Sequence, residues 1–188
     1  MPAPIAFRET PLAGVYIVEC KRFVDDRGYF MEAFSQPAWL ERGRPGEFPQ
    51  DNISQSSKGT LRGMHFQRAP HAQGKLVRVL AGAAFDVALD LREGSPTFGK
   101  WFGEELSEAN GLAMWIPIGF GHGFQALEDR TLLYYKSTDV YAPSSEGAVR
   151  YDDPAVGIAW PLPAEQMSPK DVAAPPLRDA GPFFTYPS

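Results

Sequence analysis

Residues 84–91 alternate Phe85, Val87, Leu89 and Leu91 against Asp86, Ala88 and Asp90, the period of two that marks a strand. The same reading predicts a strand over Leu76–Leu80, paired with the first around an Ala-Gly-Ala turn. Phe98–Leu106 and Thr131–Tyr141 are further strand candidates, rich in aromatic and β-favouring residues. Residues 11–33 read as extended chain with a turn at 25–28. One short helix is predicted over residues 34–43, with Ser35 as its cap, Pro37 in its first turn and Gly43 at its end. After Trp160 the chain carries seven prolines, which predict an ordered arm over 161–188 with a short helix near 168–173. Strand after strand with a few peripheral helices builds one all-β domain over residues 1–188, an antiparallel jelly roll or cupin-like barrel.

Composition sharpens this picture. Eighteen glycines and 18 prolines spread over 188 residues fit many short strands joined by turns. A formal charge of −5 leaves no general footprint for nucleic acid, though a small anion could sit in a locally basic pocket. A single cysteine, Cys20, cannot form an internal disulfide. There is no N-terminal signal pattern and no apolar run near the ~18 residues of a membrane span. The expectation is a cytoplasmic enzyme with neither nucleic-acid nor membrane partners.

The chemistry concentrates in two stretches. Leu61-Arg-Gly-Met-His-Phe-Gln67 and the following Gln73-Gly-Lys-Leu-Val-Arg78 put Arg62, His65 and Lys75 on neighbouring strands. Ile116-Pro-Ile-Gly-Phe-Gly-His-Gly-Phe124 adds His122. A neutral base beside cations is what proton abstraction next to a carbonyl requires. Asp86 and Asp171 are carboxylates that could orient a histidine from its far nitrogen. Alternation sends Tyr134 and Tyr135 to opposite faces of one strand, and an inward phenol could donate a proton. His71 reads as a solvated loop residue, and Tyr151-Asp-Asp-Pro154 as a turn between strands. Pro117-x-Gly-x-x-His122 has the spacing of cupin metal sites, but the matching stretch is His65-Phe66-Gln67 rather than His-x-His. No metal is therefore expected. No P-loop, GxGxxG, GxSxG or CxxC occurs, so no nucleotide cofactor of the usual folds is expected either.

Read together, the motifs identify a family. Phe23-x-Asp-x-Arg-Gly-Tyr-Phe-x-Glu32, Gln50-Asp-Asn-x-Ser54, the two His- and Lys-bearing stretches, Phe85-Asp-Val-Ala-Leu-Asp-Leu-Arg92 and Ser95-Pro-Thr-Phe-Gly99 occur in order. Tyr135-Lys-x-Thr138, Tyr141-x-Pro-x-x-Glu146 and Asp153-Pro-x-x-Gly-Ile-x-Trp160 follow. From about residue 5 to about 180 the chain resembles the dTDP-4-dehydrorhamnose 3,5-epimerase family. The resemblance implies a jelly roll in a homodimer with strand exchange, acting without cofactor on a dTDP-4-keto-6-deoxyhexose. It makes His65 the base at C3 and C5, Asp171 its partner, Tyr135 the acid on the opposite face, and Lys75 the cation at the C4 enolate oxygen. Asp86 would pair with His122 at the sugar pocket. Arg62, Arg27 and Lys170 would serve as diphosphate and substrate cations, while Gln50, Asp51, Asn52 and Glu146 line the nucleotide and sugar region. Phe23 and Glu32 would contribute partly across the dimer interface, and Tyr141 would stack on thymine. Many members carry two tyrosines where this chain has Val140 and Tyr141, which bears on how the sugar ring is held. A single-centre epimerase, a metal cupin and a catalytically silent sugar-binding module are the alternatives.

Overall fold

Gly- and Pro-bounded apolar runs too short for helices become strands, and their two covered faces organise the molecule. A computed structural model describes residues 5–186. In chain order it holds β1 (Ile5–Glu9), β2 (Tyr16–Cys20), β3 (Arg22–Asp25), β4 (Gly28–Met31), helix α1 (Gln36–Leu40), β5 (Gln50–Ser56) and β6 (Leu61–Gln67). There follow β7 (Lys75–Ala81), β8 (Ala83–Asp90), β9 (Arg92–Glu93), β10 (Trp101–Ser107), β11 (Ala113–Ile116), β12 (Phe120–Ala126) and β13 (Thr131–Ser137). The chain ends with β14 (Glu146–Ala148), helix α2 (Pro169–Val172) and β15 (Phe184–Thr185). Two antiparallel sheets result, in the orders β1-β2-β11-β7-β13-β5 and β10-β8-β12-β6-β14. This is the jelly roll expected.

The main core lies between the sheets, where Val77, Met114, Ile116 and Leu133 of the first meet Ala84, Ala88, Leu106, Phe120 and Phe124 of the second. Each outer face is then covered separately. Helix α1 sets Trp39, wholly buried, against Trp115, Leu76 and Val18 of the first sheet, with Phe34 and Phe48 around it. The proline-rich arm lays Val156, Ile158, Trp160, Leu177, Phe183 and Phe184 over Met64, Phe66, Val87 and Leu89 of the second. Double coverage explains why every residue of β12 is buried, with no polar face of its own.

Five sequence expectations are corrected. Leu76–Leu80 and Ala84–Leu91 do not pair: β7 bonds β11 and β13, whereas β8 bonds β10 and β12. The strands run up to Ala81 and resume at Ala83, and one residue cannot close a hairpin. Gly82, at φ +74°, instead carries the chain from one sheet to the other, where a Cβ would lie 2.9 Å from Thr131 Oγ1. The predicted helix over 34–43 shrinks to α1, and Ser35 makes no side-chain cap bond, though Pro37 does sit in the first turn. The strand expected to reach Tyr141 stops at Ser137, because Thr138 bonds Gly74 and residues 139–142 peel away. Likewise the strand expected from Phe98 begins at Trp101, since Asp90 gathers Arg92, Ser95 and Thr97 into a turn ahead of it. Tyr151–Pro154 is a turn but joins no strands; Trp160 Nε1 donates to the Tyr151 carbonyl at 2.9 Å. The expected short helix near 168–173 is α2, and the final two residues of the arm lie outside the described region. Among the described residues no helix is long and apolar enough to cross a membrane.

Candidate active site

Strands β6, β7, β12 and β13 each turn at least one residue toward the same space between the sheets. His65, Lys75, His122 and Tyr135 line a cavity of about 250 Å³ with Asn52, Ile53, Ser54, Arg62 and Phe124. His65 and His122 face each other in register on β6 and β12, in the second sheet, while Lys75 and Tyr135 come from the first. The cavity is thus walled by both sheets.

Each histidine is held by its own carboxylate. Ser168 caps α2 by accepting the Asp171 amide at 3.1 Å, and this turn aims the Asp171 side chain at His65 Nε2, 2.5 Å away. Burial alone would push the Asp171 carboxyl up, but the bonds from His65 and Ser168, with Lys170 nearby, hold it below the usual carboxylate range. His122 Nε2 lies 2.7 Å from Asp86 Oδ1, both groups buried. Burial lowers the His122 pKa, Asp86 opposes this, and the charges of Lys75 and His65 reinforce it. His122 is therefore a neutral ring at pH 7. Among the described residues no three His, Cys, Asp or Glu side chains gather as a metal-binding group.

The two groups from the first sheet are likewise tuned by burial. Burial brings the Lys75 ammonium down to about 8, against the pull of Asp86 and Glu146. Its Nζ sits 5.7 Å from the Tyr135 ring centroid. Burial raises the Tyr135 phenol above its ordinary value, partly offset by Arg62, so it carries its proton at pH 7. Asp86 Oδ2, Asn52 Nδ2 and Ser54 Oγ are buried without a hydrogen-bond partner. Native interiors rarely leave such atoms unpaired, and here they belong to the groups that line or back the cavity.

At the mouth, Tyr141 donates its hydroxyl to Glu146 at 3.2 Å, and Glu146 forms an ion pair with Lys170. Burial opposes ionisation of Glu146, but Lys170 and Tyr141 keep its carboxyl below the usual range. Gln50 accepts the Tyr141 amide at 2.6 Å and donates to Asn52 at 2.9 Å. The structure thus brings twelve of the expected positions to the cavity, its backing or its mouth. Asp51 is placed elsewhere: β5 alternation turns it outward, where it pairs with Lys136 at 2.7 Å. Phe23, Arg27 and Glu32 lie on or beside the exposed β3–β4 hairpin and do not line the cavity; Arg27 pairs with Asp25 at 2.5 Å. His71 is not simply solvated, since its Nδ1 sits 3.3 Å from Asp139. Tyr134, on the opposite face from Tyr135, accepts a bond from Lys136.

Sequence reasoning missed Gln67, noted there only as a departure from a metal motif. Its Nε2 donates to the carbonyls of His71 and Val140 at 2.6 and 3.1 Å, and its Oε1 accepts the Ala142 amide at 2.9 Å. Two residues along β6 from His65, it faces the same way and brackets Tyr141 from both sides. The clue in sequence was an amide at an inward position of a strand, which needs partners. Gln67→Leu leaves those groups unpaired and loosens the Tyr141 loop. We expect KM for a nucleotide ligand to rise about tenfold with kcat little changed, measured by steady-state kinetics.

The chain is similar to known proteins of one family. A family model described as dTDP-4-dehydrorhamnose 3,5-epimerase matches residues 9–179. The dTDP-4-dehydrorhamnose 3,5-epimerase of Salmonella typhimurium is 49% identical over 174 residues, 92% of this chain and 95% of the relative. The structure of dTDP-6-deoxy-D-glucose-3,5-epimerase from Legionella pneumophila in complex with dTDP-4-keto-L-rhamnose superposes with a TM-score of 0.94 at 45% identity, covering 98% of this chain and 100% of that one. A dTDP-4-dehydrorhamnose 3-epimerase of Streptomyces niveus is 39% identical over 183 residues, 95% of this chain and 88% of the relative. With its motifs, its two-sheet cavity and these matches, the chain belongs to the dTDP-4-dehydrorhamnose 3,5-epimerase family.

Proposed function

We propose that this enzyme epimerises dTDP-4-dehydro-6-deoxy-D-glucose at C3 and C5, giving dTDP-4-dehydro-L-rhamnose. The observation that carries the reading is a carboxylate-held histidine and a protonated tyrosine entering one cavity from opposite sheets, with a buried ammonium beside them. The 4-keto group acidifies the hydrogens on both neighbouring carbons. His65 removes one of them, and Asp171 fixes the ring and stabilises the imidazolium. The electron pair moves onto the C4 oxygen, where the Lys75 ammonium meets the enolate; such a term is worth about 3 kcal/mol. Tyr135 returns a proton to the opposite face of the carbon, which inverts it. Neutral His122 with Asp86, and Asn52 beside them, offer hydrogen bonds to the sugar. Arg62 and Lys170 supply cations for the diphosphate, and Tyr141 an aromatic face for the base, backed by Glu146 and Gln50.

Proton NMR in D2O tests the reading. Deuterium at both C3 and C5 of the keto sugar supports double inversion, deuterium at one position identifies a single-centre epimerase, and none refutes the assignment. The single-centre alternative would rest on Val140 beside Tyr141, but the relatives of higher identity are 3,5-epimerases and the 3-epimerase is the more distant at 39%.

Phe23, Val24, Tyr29 and Phe30 are exposed together on the β3–β4 hairpin, next to Arg27 and Glu32. This supports a homodimer in which the hairpin of one chain completes the site of the other. Phe30→Asp is expected to give a monomer by light scattering and to lower kcat/KM by about 10-fold or more, comparable to losing an interface anchor. A variant that stays dimeric and fully active would exclude this face.

A further inference from the structure

The cavity accounts for the groups that would touch substrate, but not for what holds the mouth together. Three separate chain segments carry site residues there: β6 with His65, β14 with Glu146, and α2 with Lys170 and Asp171. Arg68, one residue beyond β6, joins β14 to the arm that follows α2. Its Nη1 donates to the Glu146 carbonyl at 2.8 Å, its Nη2 to the Ala180 carbonyl at 2.8 Å, and its Nε to the Pro182 carbonyl at 3.0 Å. The guanidinium lies 4.9 Å from the centroid of Phe66, whose ring in turn packs against Phe183 and Phe184 of the arm. The Arg68 amide donates to Ser145 at 2.7 Å, so backbone and side chain clamp the same loop.

The neighbouring glycine shows how closely this joint is fitted. A Cβ at Gly147 would lie 2.5 Å from Phe66 and 2.8 Å from Arg68 Nη1. Only a residue without a side chain lets the guanidinium reach the Glu146 carbonyl beneath the Phe66 ring. Arg is also the one side chain whose planar fork serves three carbonyls at once; a lysine ammonium on the same stem has no such geometry.

We propose that Arg68 is a positioning residue for the reaction, bracing Glu146 and the C-terminal arm so that the mouth closes in one geometry. It touches neither cavity nor substrate. Its action passes through Glu146, which receives the Tyr141 hydroxyl on one oxygen and holds Lys170 on the other. Lys170 immediately precedes Asp171, the carboxylate that orients His65. The brace thereby ties the nucleotide end of the site to the base. The inference rests on the functional reading above.

The test is a kinetic cycle using Arg68→Met, Glu146→Gln and the double variant, with dTDP affinity measured by calorimetry and folding followed by circular dichroism. Arg68→Met is expected to raise KM and the dTDP Kd about tenfold, the scale of losing hydrogen bonds from a charged group, with a smaller fall in kcat. Added to Glu146→Gln it should change little more, because both act through one group. Arg68→Lys, which keeps the charge over Phe66, should show the same KM defect, and it serves if the Met variant folds poorly. KM and Kd within twofold of the parent, or effects that multiply in the double variant, overturn the proposal. A parent enzyme that neither turns over the keto sugar nor binds dTDP would instead refute the functional reading, so the two failures are distinct.

Discussion

Replacing His65 by Asn should lower turnover by about 10³-fold, the contribution expected of a positioned general base, and leave the fold intact. Asparagine still offers an N–H toward Asp171, so that buried carboxylate is not left without a donor. The loss should fall on deuterium exchange at C3 and C5 alike, because a single base serves both positions. Tyr135→Phe makes the contrast. With His65 intact, proton removal continues and exchange persists, but inversion fails for want of an acid on the far face. NMR in D2O separates the two: a His65→Asn protein that still exchanges either hydrogen at near-normal rates would require another base. The pairing should hold across the working pH range. The Asp171 pKa is depressed in the fold, so its contribution to stability is full above the unfolded carboxylate value of ~3.9 and is lost only as pH falls through the lower folded one.

Lys75→Met should abolish most turnover and at the same time stabilise the protein. Burial lowers the ammonium from 10.5 to about 8 even after the attraction of Asp86 and Glu146 is included. At pH 7 the lysine is charged in both folded and unfolded chains, and keeping that charge buried costs about 3 kcal/mol. The sign follows from proton binding. Between pH 8 and 10.5 the unfolded chain holds a proton on this group that the folded chain has released, so parent stability rises with pH there. Activity runs the other way, since the enolate oxygen needs the cation: kcat/KM of the parent should fall as pH passes about 8. Methionine fills a similar volume without charge, removing both trends. Urea melts at pH 7 should show a gain near 3 kcal/mol, a rise of several degrees in Tm for a chain of this size. A Met variant less stable than its parent would mean that the ammonium is better solvated than its burial implies. An alkaline limb of kcat/KM well away from pH 8 would assign that limb to another group.

Opposing optima of this kind are informative about the site. A cation held at a stability cost beside two buried carboxylates, each hydrogen-bonded to a histidine, is an arrangement a core avoids unless function requires it.

The chain's own order of residues determined a great deal. The period of two marked most strands, Gly and Pro marked where they stop, and the motifs carried the family with His65, Lys75, His122 and Tyr135 among them. What a local pattern reports is which face of a strand is buried, not which strand lies beside it. That is why β7 and β8 looked like a hairpin and prove to lie in different sheets, and why Thr131–Tyr141 looked like one strand when its last residues leave to form the mouth. Contacts made across the fold were beyond reach for the same reason. His65 and Asp171 stand 106 residues apart, and Arg68 meets Pro182 across 114, distances over which no periodicity carries information. The tertiary structure alone decided that Asp51 faces away from the cavity, that Gln67 and Arg68 hold its mouth, and that Lys75 loses its water. Burial and partner geometry set these properties, and both exist only once the two sheets have closed on each other.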